Sequence, residues 1–219
     1  HRTEYSVETW GEEILAIARD AGLDGFTLIG HSLGGLITTH LAQLEASPVG
    51  AAIVVDSPVS AVGSTTPIEA NGLVPSRRRV YDSPDRMIAR FRPVPDQSML
   101  PYVAAHIAAL SVTEVDGGWS WKFDSTIMNG EVLRARFDSV HRPLAFLRSE
   151  FGVVDASARP IVEPSGALFI EMMDAGHAPM LDQPVALVTA FRAVFAAWDA
   201  GANRPVAVIE TDGGGIIVS

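Results

Sequence analysis

The most constraining feature of the chain is Gly30-His31-Ser32-Leu33-Gly34, set between two segments of different period. Before it, Phe26 to Ile29 is a short, mainly apolar run of the length of a buried strand. After it, Leu36, Ile37, Leu41 and Leu44 recur at helical spacing. A strand that turns sharply into a helix forces the residue at the bend into a strained backbone state, and only small neighbours tolerate that bend. The bend lifts the Ser32 hydroxyl out of the turn, at the positive end of the helix. The N–H of Leu33 can then face a developing oxyanion. An incidental serine in a glycine-rich turn is the blander reading. The register of strand, turn and helix favours a nucleophile.

Around this turn the pattern is strand and helix in alternation. Ser6 is a good N-cap for a helix whose stripe is Val7, Trp10, Ile14, Ile17 and Ala18, ended by Gly22. Ala51 to Val55 reads as the next buried strand, ending at Asp56, so the two strands are expected to be parallel with a right-handed crossover. Residues 57–140 change texture: prolines are frequent, Arg77-Arg78-Arg79 forms a basic run, and Ser83-Pro84 is a helix start. A second helix is expected from Pro101 to about Leu110, then a turn at Asp116-Gly117-Gly118 and alternation from Trp119 to Phe123. Strands follow at Pro143 to Leu147 and Ala167 to Glu171. A helix at Val185 to Trp198 carries Leu187, Phe191, Val194, Phe195 and Trp198 on one face. The expected organisation is an α/β core from residues 1–56 and 141–200, a helical insertion at 57–140, and a tail at 201–219. The run Val206 to Ile209 in the tail is a candidate cover for an exposed sheet edge.

The totals narrow the function. The chain has 219 residues and 47% apolar content, which fits one packed domain carrying an insertion. A net charge of −10 argues against a nucleic-acid partner. No apolar run approaches the ~20 residues of a membrane helix. With no cysteine, disulfides and thiolate metal sites are excluded, and the redox compartment stays open. Neither a metal nor an organic cofactor is called for.

A serine nucleophile needs a base within reach. Of the six histidines, His1 is terminal, His40 lies on the helix after the turn, and His106 and His141 belong to the insertion. His31 sits in the turn itself, which should aim it away from the Ser32 hydroxyl. His177 lies in Asp174-Ala175-Gly176-His177-Ala178-Pro179, a loop between a strand and the long final helix. That is where a base would be mounted, and it follows the serine in the chain.

These motifs, with Met180-Leu181-Asp182-Gln183-Pro184, resemble the α/β-hydrolase superfamily. Within it they are similar to the small-molecule esterases and C–C bond hydrolases with a helical cap. Arg90-Phe91-Arg92 and Gly118-Trp119-Ser120-Trp121-Lys122-Phe123-Asp124 resemble cap segments of bacterial members. The resemblance covers about Tyr5 to Ala200. It implies a mostly parallel sheet flanked by helices, a triad with a carboxylate to orient His177, and no cofactor. In the family the acid usually follows the strand at Pro143 to Leu147, yet Ser149, Glu150, Phe151 and Gly152 stand there. The other family placement, the end of the strand after the elbow helix, is held by Asp56. Asp56 is preferred, Glu150 is the alternative, and Asp155 lies a little further on.

The resemblance also implies further strands upstream of this chain, including a His-Gly loop that donates a second oxyanion N–H. The chain starts at His1 and holds no His-Gly pair. The leading expectation is therefore a serine hydrolase for a small ester or related acyl substrate, with a small molecule as its partner. A non-catalytic ligand-binding protein and an inactive fragment of such a hydrolase are the alternatives. Trp119, Trp121, Phe91 and Met99 are candidates to line a substrate cavity, with His31 beside it. A cytoplasmic location is the default expectation.

Overall fold

The computed structural model describes residues 5–59, 79–124, 127 and 140–201, together with the strand segments 207–209 and 216–218. Four strands form one sheet in the order β1 (Phe26–His31), β2 (Val49–Val55), β5 (Leu144–Phe151) and β6 (Leu168–Gly176), and every neighbouring pair is parallel. Helix α1 (Val7–Asp20) precedes β1, α2 (Leu33–Gln43) joins β1 to β2, and the short α5 (Arg159–Val162) joins β5 to β6. After β6 come one short turn of helix, α6 (Pro179–Asp182), and the long α7 (Pro184–Asp199).

Parallel strands with helices on both faces must be apolar on both sides. In β2, Ala52 and Val54 face a core shared with Val7 of α1, Leu36, Ile37 and Leu41 of α2, and Val162 of α5. Ala51, Ile53 and Val55 face the opposite core, closed by Leu187, Val194 and Trp198 of α7. Strand β5 alternates in the same way, with Leu144 and Phe146 on the first side and Ala145 and Leu147 on the second. The two-residue period of a strand thus divides one apolar run between two cores.

Helix α1 starts as expected: the Ser6 Oγ accepts the N–H of Thr9 at 3.1 Å. The buried stripe is narrower than its apolar residues suggest, because Ile17 is 67% exposed. Helix α2 stops at Gln43, leaving Leu44 as a partly exposed C-cap rather than a core position. In α7, Phe195 also lies at the solvent side, while Leu187, Val194 and Trp198 are buried. The end of α2 is held from afar. The Arg142 guanidinium donates to the carbonyl of Ala42 at 2.5 Å, one of the groups a helix terminus leaves unpaired, and to those of Leu44 at 2.9 Å and Ser47 at 3.1 Å just beyond the helix.

Strands β5 and β6 run further than the apolar pattern predicts, through Arg148-Ser149-Glu150 and Met172-Met173-Asp174. The polar extension persists because its charge is satisfied. Arg148 is nearly buried, pairs with Glu171, and donates from Nε to the Val154 carbonyl at 2.8 Å.

The inserted segment contributes no strand to the main sheet among the described residues. It holds α3 (Pro84–Ile88), capped by Ser83, α4 (Pro101–Leu110), and an antiparallel hairpin of β3 (Val112–Val115) and β4 (Gly118–Trp121). Two further strands, β7 (Ala207–Ile209) and β8 (Ile216–Val218), pair with each other. Among the described residues the tail run, whose Val206 lies outside them, pairs with β8 and not with a strand of the main sheet. No helix among the described residues is long and apolar enough to cross a membrane.

Phe146 is fully buried and stacks on Phe169 with ring centroids 5.6 Å apart. Phe146→Ala should destabilise the chain by about 3–5 kcal/mol, because it removes apolar contact and leaves a cavity. Urea unfolding of the two proteins measures this, and a loss well below 1 kcal/mol would contradict the packing described.

Candidate active site

Three strand ends converge here: Ser32 follows β1, Asp56 follows β2 and His177 follows β6. This is the carboxyl edge of a parallel sheet, where loops can gather side chains from distant parts of the chain. Ser32 has φ 52° and ψ −120°, an unusual conformation for a residue with a side chain. Two hydrogen bonds hold it. Its N–H donates to Val55 O at 3.0 Å, and its carbonyl accepts from Ser57 Oγ at 2.7 Å. A Cβ on Gly30 would overlap the Gly34 carbonyl and Thr38, and one on Gly35 would overlap Ser57. A Cβ on Gly34 would meet no described atom within 4 Å. Steric demand in the turn therefore falls on Gly30 and Gly35, and not on the second glycine of the motif. Leu33 is the first residue of α2, so its N–H has no acceptor within the helix.

The Ser32 Oγ lies 2.9 Å from His177 Nε2, and His177 Nδ1 lies 2.7 Å from Asp56 Oδ2. A carboxylate only accepts, so the imidazole proton sits on Nδ1 and Nε2 is left to accept from Ser32. Asp56 is 0% exposed. Two backbone donors complete its shell: Ser149 N–H reaches Oδ1 at 3.1 Å and Val153 N–H reaches Oδ2 at 2.9 Å. Any Cβ on Gly152 would overlap the carboxylate. The end of β5 and the turn after it thus supply one N–H each to Asp56, from Ser149 and Val153.

Glu150 is directed elsewhere. Its Oε2 accepts from the N–H of Asp174 at 2.9 Å, at the exposed side of the sheet end. Asp155 caps the turn that precedes α5 by accepting from Ser157 N–H at 2.7 Å. Of the two carboxylates weighed from the sequence, the structure brings Asp56 to His177 and leaves Glu150 outside.

His31 does more than lie in the turn. Its Nε2 donates to the His177 carbonyl at 2.7 Å, and the two rings are 4.7 Å apart. His106 and His141 are exposed and His40 stays on α2, while His1 lies outside the described residues. Trp119 is bridged to Tyr81, and Trp121 packs against Phe91 with ring centroids 6.0 Å apart, so these contacts stay within the inserted segment. A groove of about 640 Å³ is lined by Arg79, Tyr81, Asp82, Arg86 and Arg90, among others, and by none of Ser32, Asp56 and His177. Of the basic run, only Arg79 is described; Arg77 and Arg78 lie outside the described residues. Among the described residues no group of three or more His, Asp and Glu side chains is placed to hold a metal ion.

Comparison with known proteins fits this geometry. The family model described as the Alpha/beta hydrolase family matches residues 2–190. The chain belongs to that family. No curated protein matches the sequence. Among solved structures, this hydrolase is similar to E-2-(acetamidomethylene)succinate hydrolase, with a TM-score of 0.69 at 19% identity over 89% of this chain and 75% of that one. It is similar to a hypothetical protein of Pseudomonas aeruginosa PAO1, with a TM-score of 0.68 at 23% identity over 91% and 77% of the two chains. It also resembles an esterase of Mycobacterium tuberculosis, with a TM-score of 0.66 at 21% identity over 88% and 68%. At these identities the likeness is one of fold.

Several residues of the site carry no signal in the sequence. The Ser149 and Val153 donors are backbone groups, which any residue but proline would supply. Ser57 is one of many serines, and Gly152 is one of 19 glycines. Their importance follows only from what lies next to them.

Burial, and then the electrostatic effect of the neighbouring His177, pushes the His31 pKa below its ordinary value. The bond to the His177 carbonyl and the Asp56 charge oppose this without reversing it. The unfolded chain, with a histidine near pH 6.5, takes up this proton first as pH falls. The stabilising contribution is therefore complete above that value and is lost as pH falls toward the folded value. Between about pH 7 and about pH 5 the Tm should fall more steeply for the wild type than for His31→Gln. Parallel Tm curves for the two proteins would remove His31 as the source.

Proposed function

We propose that the chain is a serine hydrolase acting on a small ester or related acyl substrate. The observation that carries this reading is the continuous line Ser32 Oγ, His177 Nε2, His177 Nδ1, Asp56 Oδ2, with links of 2.9 and 2.7 Å. Ser32 attacks the substrate carbonyl carbon and its hydroxyl proton passes to His177 Nε2. The oxyanion that forms is met by the N–H of Leu33 at the start of α2. Asp56 holds the ring in the productive tautomer and stabilises the imidazolium. Collapse of the tetrahedral intermediate expels the leaving group, which takes the proton from His177. Water, activated by the same base, attacks the acyl-enzyme, releases the acid and restores the Ser32 hydroxyl. The inserted segment serves as the cap, a reading supported by the hydrogen bonds that Gln97 makes to Ala178 beside His177.

Intact mass after treatment with a fluorophosphonate tests the assignment. Ser32 Oγ displaces fluoride from phosphorus, so one adduct is expected on the wild type and none on Ser32→Ala. A folded wild type that takes no label would sink the proposal.

The role of the acid gives a second test. Asp56→Asn should lower the labelling rate on the order of 10⁴-fold, by favouring the wrong tautomer of His177. Glu150→Gln should leave the rate within about 3-fold, since Glu150 does not touch the imidazole. The opposite ranking would transfer the role to Glu150.

A further inference from the structure

The inserted segment reaches the base through one amide. Gln97 lies in the irregular stretch between α3 and α4. Its Oε1 accepts the N–H of Ala178 at 2.8 Å, and its Nε2 donates to the carbonyl of the same residue at 3.1 Å. Ala178, between His177 and Pro179, has φ −108° and ψ 80°, and its N–H and C=O both reach the one amide.

The rest of the loop is held with it. Gln97 Nε2 also donates to Asp182 Oδ2 at 3.2 Å, and that oxygen accepts the N–H of Gly176 at 2.7 Å. The backbone on both sides of His177 is therefore pinned, and the His177 carbonyl itself is taken by His31. A Cβ on Gly176 would stand 2.8 Å from Gln97 Cδ and Nε2, so the glycine before the base is also the space into which Gln97 packs. The N–H of Leu100 adds a tie to the Leu181 carbonyl at 2.8 Å.

We propose that Gln97 is a positioning residue that makes proton transfer between Ser32 and His177 depend on the seating of the inserted segment. The proposal rests on the serine-hydrolase reading above. Only an amide offers the acceptor for Ala178 N–H and donors for both Ala178 O and Asp182 on one planar group. A glutamate would set a second carboxylate against Asp182. A misplacement of reacting groups by about 1 Å costs on the order of 10²-fold in rate, which is the scale on which a loosened histidine loop acts. The hydrogen bonds of Gln97 go to Ala178 and Asp182, so its influence runs through the peptide groups of residues 176–178.

The test is the kinetics of Ser32 phosphonylation by a fluorophosphonate, separated into an apparent binding constant and a limiting rate. It uses the full chain and its Gln97→Ala and Gln97→Met variants. Methionine fills the same space without the hydrogen bonds. Thermal unfolding of each variant refers the rates to folded protein. The limiting rate should fall about 10- to 100-fold in both variants, with the binding constant changed less than about 2-fold. A Met variant with the wild-type limiting rate would reduce the contact to packing and overturn the proposal. So would a loss that appears only in the binding constant, or one that disappears when rates are referred to folded protein. A folded wild type that takes no label would remove the hydrolase reading and this proposal together, a result recognised without any Gln97 variant.

Discussion

A carboxylate with no access to water has to find its donors within the protein, and Asp56 is such a group. Its three donors come from two places distant in the chain, the imidazole of His177 and the backbone at the end of β5 and just beyond it. Much of the local structure follows from that requirement. Strand β5 has to run past its apolar stretch to deliver Ser149 and Val153, which takes Arg148 into the sheet. Arg148 in turn needs Glu171 and the Val154 carbonyl. Gly152 is needed because the turn passes against the carboxylate. Asp56 itself sits at φ 42°, a costly position for a residue with a side chain, held by its N–H bond to Leu147 O at 2.8 Å.

The doubly covered sheet supplies the rigidity behind this site. Alternate residues of β2 and β5 are locked into separate cores, so neither strand can slip in register without exposing apolar side chains to the wrong face. Ser32 and Asp56 are mounted directly on the ends of β1 and β2, which are paired through His31 and Val55. Ser32 and Asp56 therefore inherit the precision of the sheet. His177 is less directly fixed, since it lies beyond the end of β6 and depends on contacts from His31 and the inserted segment.

The core was legible in the sequence because its signals are local. A buried strand, a glycine-rich turn and a helix in register mark Ser32 without help from the rest of the chain. His177 was recognisable from its loop and its position after the serine. The acid was less legible, since the sequence shows carboxylates at two strand ends and the choice depends on which one meets the imidazole. Glu150 and Asp56 differ by where a side chain points, and that is a tertiary fact. The exposure of Ile17, Leu44 and Phe195 was illegible for a similar reason: periodicity says which residues share a face, not how much of that face a neighbour covers. Backbone donors and the reach of Gln97 leave no trace in residue type.

Arg142 stands where the chain returns from its long excursion to begin β5, and its guanidinium grips the carbonyls at the end of the elbow helix. The excursion departs just after β2, the neighbour of β5 in the sheet. Departure and return are thus moored side by side to the same scaffold. A segment tethered in this manner is modular: evolution can lengthen it, shorten it or exchange it for another while the strands beneath keep their places.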